Sequence, residues 1–204
     1  MYPLVLVRRK ASSDNLGGAG NQQERLDAYI AGYVDGEGSF HVAIQRNPSA
    51  KTKWQLVPEF HVSQNAERRQ VLDLIKRRLA CGRIQENHRG SSDTSLVFVV
   101  RNRADLILKV IPFFERQPLL SSKQQDFLKF AAIVQAMAQG KHLSSEGFLS
   151  LRDHALSMNG GGRYRRVHGV KDSRILRDHM PNTSGDVKIW SDLHGDMQSH
   201  AEMS

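Results

Sequence analysis

Where a helical pattern gives way to a strand pattern, the chain carries one carboxylate between two glycines, Gly36-Glu37-Gly38. A carboxylate at a helix C-terminus meets unpaired carbonyls and the negative end of the helix dipole, a poor place for it unless a cation is there too. Glu37 offers hard oxygen and the Gly36 carbonyl a second, which is the donor set of Mg²⁺, with Mn²⁺ or Ca²⁺ as substitutes. Two such acids beside a phosphodiester would support metal-assisted hydrolysis. The chain holds one copy of the pattern, so a pair requires two chains.

The helix that must carry Glu37 shows its apolar face as Leu26, Tyr29, Ile30, Tyr33 and Val34. Asn21 with Glu24 has the spacing of a capping box that would start it. A second face is built from small residues: Ala28, Gly32 and Gly36 stand four apart, with Ala31 and Asp35 beside them. Small side chains at that spacing let another backbone approach closely. This helix is expected to be buried on two sides, one against its own domain and one, the face of Ala28, Ala31, Gly32 and Asp35, against another helix.

Period-two alternation follows. Phe40, Val42 and Ile44 alternate with His41, Ala43 and Gln45; after a turn at Asn47-Pro48-Ser49, Leu56, Phe60 and Val62 alternate with Gln55, Glu59 and His61. A basic helix is expected at about 66–79. A second hairpin comes next, Gly82–Arg89 and Thr94–Arg101, with Leu96, Phe98 and Val100 inward and Arg83, Gln85, Asn87 and Arg89 outward. Asn102 can cap a helix that Pro112 should kink or end. Helices at Ser121–Ala138 and Ser144–Met158 complete the order. The fold class expected is α+β: one four-stranded antiparallel sheet, helices on one face, and the polar face open. A β-ribbon fits the major groove of duplex DNA.

Charge agrees with a polyanionic partner. The 204 residues carry 29 Lys/Arg and 21 Asp/Glu, a net charge of +8. Residues 38–141 hold 17 basic and 8 acidic residues, whereas residues 1–37 hold 4 and 5, so the excess sits on the sheet and helices. No apolar run approaches the roughly 18 residues of a membrane span, so no membrane partner is expected. The single cysteine, Cys81, excludes a disulfide scaffold and fits a reducing compartment rather than secretion. Residues 1–23 read as a leader or disordered segment, 24–158 as the folded domain, and 159–204 as a Gly160-Gly161-Gly162 linker with a flexible basic tail around Arg163, Tyr164, Arg165 and Arg166.

The run Ile30-Ala31-Gly32-Tyr33-Val34-Asp35-Gly36-Glu37-Gly38, with Ser39-Phe40 after it, resembles the signature of the LAGLIDADG homing endonucleases. Val57-Pro58-Glu59-Phe60-His61-Val62-Ser63-Gln64 is similar to the family's second strand, Gly82-Arg83-Ile84 to the start of its second hairpin, and Gln117-Pro118-Leu119-Leu120-Ser121-Ser122-Lys123 to its loop with a basic active-site residue. The likeness covers about residues 24–158 and points to the single-motif, homodimeric branch encoded in introns of organellar or microbial ribosomal RNA genes. A chloroplast, mitochondrion or microbial cytoplasm is the compartment this implies. It implies a saddle-shaped α-β-β-α-β-β-α fold and Mg²⁺-dependent double-strand cleavage of a long pseudo-palindromic DNA target, with no small-molecule cofactor. Glu37 would be the metal-binding acid, where the family more often has Asp. Gln64 would position water, Lys123 would steady the phosphate, and Arg68 is a second basic candidate. The same resemblance leaves open an RNA maturase that assists intron splicing, or a relative that binds DNA without cleaving it.

On that reading the open sheet face recognises DNA. His41, Gln45, Asn47, Gln55, Glu59 and His61 on one hairpin, and Arg83, Gln85, Asn87 and Arg89 on the other, are the candidate base readers: amides for adenine, arginine for guanine, Glu59 for cytosine. Lys51, Lys53, Arg101, Arg103 and Lys123 would contact phosphates. His41 and His61 lie on neighbouring strands without a third ligand in the pattern, so no zinc site is expected.

Overall fold

Phe40 sits at the centre of the core, three residues beyond Glu37. Its ring stacks on Phe60 at 4.9 Å between centroids and meets Phe114 and Phe127 edge-on at 5.2 Å each. Such tilted and edge-to-face pairs add to the burial of large apolar surface, and they clamp the strand that follows the acidic residue. The structure, a computed structural model, describes residues 17–87 and 94–160.

The elements follow in the order α1 (Gly17–Glu37), β1 (Gly38–Arg46), β2 (Trp54–Asn65), α2 (Arg69–Leu79), β3 (Arg83–Glu86), β4 (Ser95–Val100), α3 (Arg103–Asp105), α4 (Ile111–Arg116), α5 (Lys123–Ala138) and α6 (Ser145–Leu156). The four strands form one antiparallel sheet in the order β1-β2-β4-β3. On β1, β2 and β4, Phe40, Val42, Phe60, Val62, Phe98 and Val100 lie at 0–1% exposure under the helices. The expected α+β architecture is the one observed. Among the described residues no helix is long and apolar enough to cross a membrane.

Several local expectations are corrected. The first helix begins at Gly17, so Asn21 and Glu24 lie inside it, exposed, and form no N-terminal box. Residues 66–68 form a separate 3-10 turn before α2. Pro112 does not end its helix. Asn102 caps α3, its side chain accepting from the Asp105 N–H. The helix then widens into a π turn over Leu106–Val110, in which the Ile111 N–H bonds five residues back to the Leu106 carbonyl. Regular α-helix restarts as α4 with Pro112 in its first turn, where a missing N–H leaves nothing unpaired. The leader residues 1–16, the turn at Gly90-Ser91-Ser92-Asp93, Arg89 and the tail with Arg163–Arg166 lie outside the described residues.

Candidate active site and nucleic-acid interface

Four contacts place the end of α1. Ile30 and Val34 are wholly buried on its core face. Asp27, 8% exposed, takes a two-point hydrogen-bonded ion pair from Arg78 of α2 at 2.6 and 2.6 Å, and the same guanidinium lies 5.4 Å over the Phe113 ring. Sequence reading missed both residues of this pair; the bidentate geometry is the strong form of the interaction. Gly38 forms the helix–strand joint, since a Cβ there would stand 2.6 Å from Val34 Cγ1 and 2.8 Å from the Val34 carbonyl oxygen. The fourth contact comes from the segment before α5. The Asp35 carboxylate accepts the Leu120 N–H at 3.1 Å, the Ser121 N–H at 2.9 Å and the Ser121 hydroxyl. Burial pushes the Asp35 carboxyl up, but these hydrogen bonds and the Lys123 charge outweigh it and hold it below the usual range. Asp35 thus fastens a loop of its own chain.

That fastening delivers Lys123 to the helix end. Its ammonium donates to the Val34 carbonyl at 2.9 Å and to the Gly36 carbonyl at 3.3 Å. Burial lowers the Lys123 pKa, while the carboxylates of Asp35, Glu37 and Asp126 pull it upward. Glu37 is exposed at the last position of α1. The donors fit a hard divalent cation: a carboxylate in solvent beside a helix-end carbonyl, all oxygen. The ammonium already drawn to those carbonyls marks the place as one that attracts positive charge.

Gln64 lies on the helix-facing side of β2. Its amide donates to the Tyr33 hydroxyl and its carbonyl accepts the Asn65 N–H at 2.7 Å. Tyr33 stands one helical turn before Glu37, so Gln64 meets α1 near its C-terminal end. Arg68 is exposed in the 3-10 turn, and among the described residues no hydrogen bond ties it to Glu37, Gln64 or Lys123.

On the second face of α1, Ala28 and Gly32 are exposed, and a Cβ at Gly32 or Gly36 would meet nothing within 4 Å. Ala31, beside them, is 7% exposed. The stripe available to a second backbone is Ala28, Gly32 and Gly36.

The open sheet face is ordered by register. Gln45 opposes Gln55, His41 opposes Glu59, and Ser39 opposes His61; across the sheet His61 and then Arg83 flank Val99, while Ser63 and Gln85 flank Val97. Gln45, Gln55 and Asn47 form a chain, with Gln55 donating to Gln45 at 3.3 Å and Asn47 donating to Gln55 at 2.9 Å. Arg83 donates to Gln85 at 2.8 Å. Asn87 extends this edge, its N–H bonded to the Ser95 carbonyl. Val97 and Val99, at 8% and 3% exposure, place an apolar pair in the middle of a face expected to be polar. Lys51 is exposed at the hairpin tip.

One expected base reader, Glu59, and two expected phosphate contacts, Arg103 and Lys53, make contacts within the chain. Glu59, 9% exposed, is held by Arg101, by His61 at 3.2 Å and by His41 at 3.8 Å. Burial pushes its carboxyl up, but the hydrogen bonds from His61 and Arg101 and the charges of His41 and Arg101 bring it down to about 2. Its oxygens are engaged within the chain by Arg101 and the two imidazoles. Arg103 donates to the Met137 carbonyl of α5 at 3.2 Å. Lys53, at a left-handed φ of 60°, donates to the Pro48 carbonyl within its own turn at 2.8 Å.

The sequence pattern of the LAGLIDADG endonucleases matches residues 30–134, just over half of the chain. The chain belongs to that family. A probable intron-encoded endonuclease 2 of Neurospora crassa is 31% identical over 134 residues, covering 66% of this chain and 29% of the relative. The crystal structure of the homing endonuclease I-TnaI superposes with a TM-score of 0.65 at 36% identity, covering 74% of this chain and 96% of that one. The LAGLIDADG homing endonuclease I-LtrWI, solved bound to target DNA, gives a TM-score of 0.67 at 28% identity, covering 82% and 54%. The chain spans a quarter to under a third of the length of the first curated intron-encoded relatives it matches, at 29%, 26% and 25%.

Proposed function

We propose that the chain is a site-specific DNA endonuclease that makes double-strand breaks in a long pseudo-palindromic target as a homodimer, with Mg²⁺ at Glu37 and the Gly36 carbonyl. The observation that carries this reading is the reach of Lys123 to the Gly36 carbonyl at 3.3 Å, which sets an ammonium beside the acid at the end of α1. Bound Mg²⁺ would supply charge neutralisation at the phosphate and a more acidic water. Glu37 holds the ion, Lys123 faces the charge that develops on the phosphoryl oxygens, and Gln64, steadied by Tyr33, orients water. Arg68, on the exposed turn after β2, is a further phosphate contact. One chain carries one Glu37, so cutting two strands takes two chains, packed through Ala28, Gly32 and Gly36, and a two-fold protein reads a two-fold site. The relatives point the same way: I-TnaI is described as a homing endonuclease and I-LtrWI as bound to target DNA.

Gln45, Asn47, Gln55, Arg83 and Gln85 read base edges, with His41 and His61 along the same groove wall. Lys51 and Arg101 meet the backbone, so affinity falls steeply with salt. The test is cleavage of DNA from the insertion site of the gene, with and without Mg²⁺, in wild type and Glu37→Gln. Metal-dependent double-strand breaks are expected, reduced by at least about 100-fold in the variant while DNA binding survives. Breaks that persist in Glu37→Gln would remove this acid from the mechanism.

A further inference from the structure

The strand pairing brings together three side chains on the open sheet face. His41 and Glu59 are direct cross-strand partners, and His61 lies two residues beyond Glu59 on the same face. The His61 Nδ1 atom stands 3.2 Å and the His41 Nε2 atom 3.8 Å from the same carboxylate oxygen, Glu59 Oε1. The ligating atoms of all three lie within 4.8 Å of one another. The two imidazole rings meet edge-on with centroids 5.1 Å apart.

We propose that His41, Glu59 and His61 form a second metal site, separate from the end of α1, that takes a borderline transition cation of the zinc class. Nitrogen or oxygen donors about 2.1 Å from one ion in a tetrahedron stand about 3.4 Å apart, which the two distances to Glu59 Oε1 bracket. Two imidazoles and one carboxylate select zinc, cobalt or nickel over Mg²⁺, which prefers oxygen and keeps its waters. Arg101 holds the other carboxylate oxygen and so orients the ligand. That guanidinium also repels a dication, which sets the affinity below that of a closed structural zinc site. The imidazoles keep 29% and 27% of their side-chain surface exposed, so the ion enters from the open face and retains a coordination position toward it.

The pleat of two paired strands fixes these three positions whether or not the chain cuts DNA, so the site does not depend on the nuclease reading. The experiment titrates Zn²⁺ into the full chain by calorimetry in excess Mg²⁺, with Co²⁺ as a second probe read by its visible absorption. One Zn²⁺ per chain is expected in wild type and, within about twofold, in Glu37→Gln. Binding should weaken at least about tenfold in His61→Gln and in His41→Gln, with loss of the tetrahedral Co²⁺ bands. No binding in wild type, equal binding in both histidine variants, or loss in Glu37→Gln alone would overturn the proposal. Should a histidine variant fail to fold, imidazole nitrogen NMR of wild type decides. One equivalent of Zn²⁺ must then shift the His41 and His61 resonances, and unmoved resonances would refute the site.

Discussion

The Lys123 ammonium and the Gly36 carbonyl, 87 residues apart in the chain, are joined at 3.3 Å, and the same ammonium bonds Val34 at 2.9 Å. A positive side chain therefore occupies the negative end of α1 next to Glu37. Lys123→Met should lower single-turnover cleavage by roughly 100- to 1,000-fold, with DNA affinity changed far less. Glu37 raises the Lys123 pKa against the lowering by burial, so Glu37→Gln should move that pKa further down. A ¹³Cε NMR titration of Lys123 measures it, and an upward move would contradict the coupling.

The exposed stripe of α1 separates a structural glycine from an interface glycine. Within one chain a Cβ at Gly32 meets nothing within 4 Å, and replacing glycine in an exposed helix gains up to about 1 kcal/mol of helix propensity. Gly32→Glu should therefore fold at least as well as wild type. If α1 packs on its copy, the same variant runs as a monomer in size-exclusion chromatography and loses double-strand cutting. A dimer that persists would place the interface elsewhere.

The Asp27–Arg78 pair anchors α1 to α2 through bonds of 2.6 Å. Asp27→Ala leaves a partly buried guanidinium without its partner and should cost about 2–3 kcal/mol in urea unfolding. Replacing both residues by apolar ones, Asp27→Leu with Arg78→Met, should recover part of that loss.

Acid should loosen the sheet through Glu59. Its carboxyl titrates at about 2 when folded against an ordinary 4.5, so the folded state binds the proton more weakly than the unfolded one. The stability this supplies is complete above pH 4.5 and is lost as pH falls toward 2. Thermal melts across that window should fall more steeply for wild type than for Glu59→Gln, and parallel curves would deny Glu59 the role.

Much of this molecule is legible in its amino-acid order because the relevant signals are local. The alternation around Phe40 and Phe60, the Asn102 cap and the helix-to-strand change at Gly36-Glu37-Gly38 are each set within a few residues by helix and strand periodicity. So is the antiparallel sheet with one covered face. The N-terminus of α1 is not, because Asn21 and Glu24 fit a capping box equally well from inside a helix that starts upstream. Pro112 misleads because a π turn, invisible to a period of 3.6, lets the chain restart its helix around the ring.

What the sequence determined by itself was the order of elements and the acid at a helix end, since both follow from short-range geometry. Which distant groups meet was decided only by tertiary packing. Strand register set Glu59 between two imidazoles and an arginine, helix docking turned Arg103 toward Met137 and paired Asp27 with Arg78, and the Asp35-bound loop carried Lys123 to α1. The physical reason is that a side chain's partners depend on the summed packing of all elements, whereas its local conformation depends mainly on its neighbours in the chain.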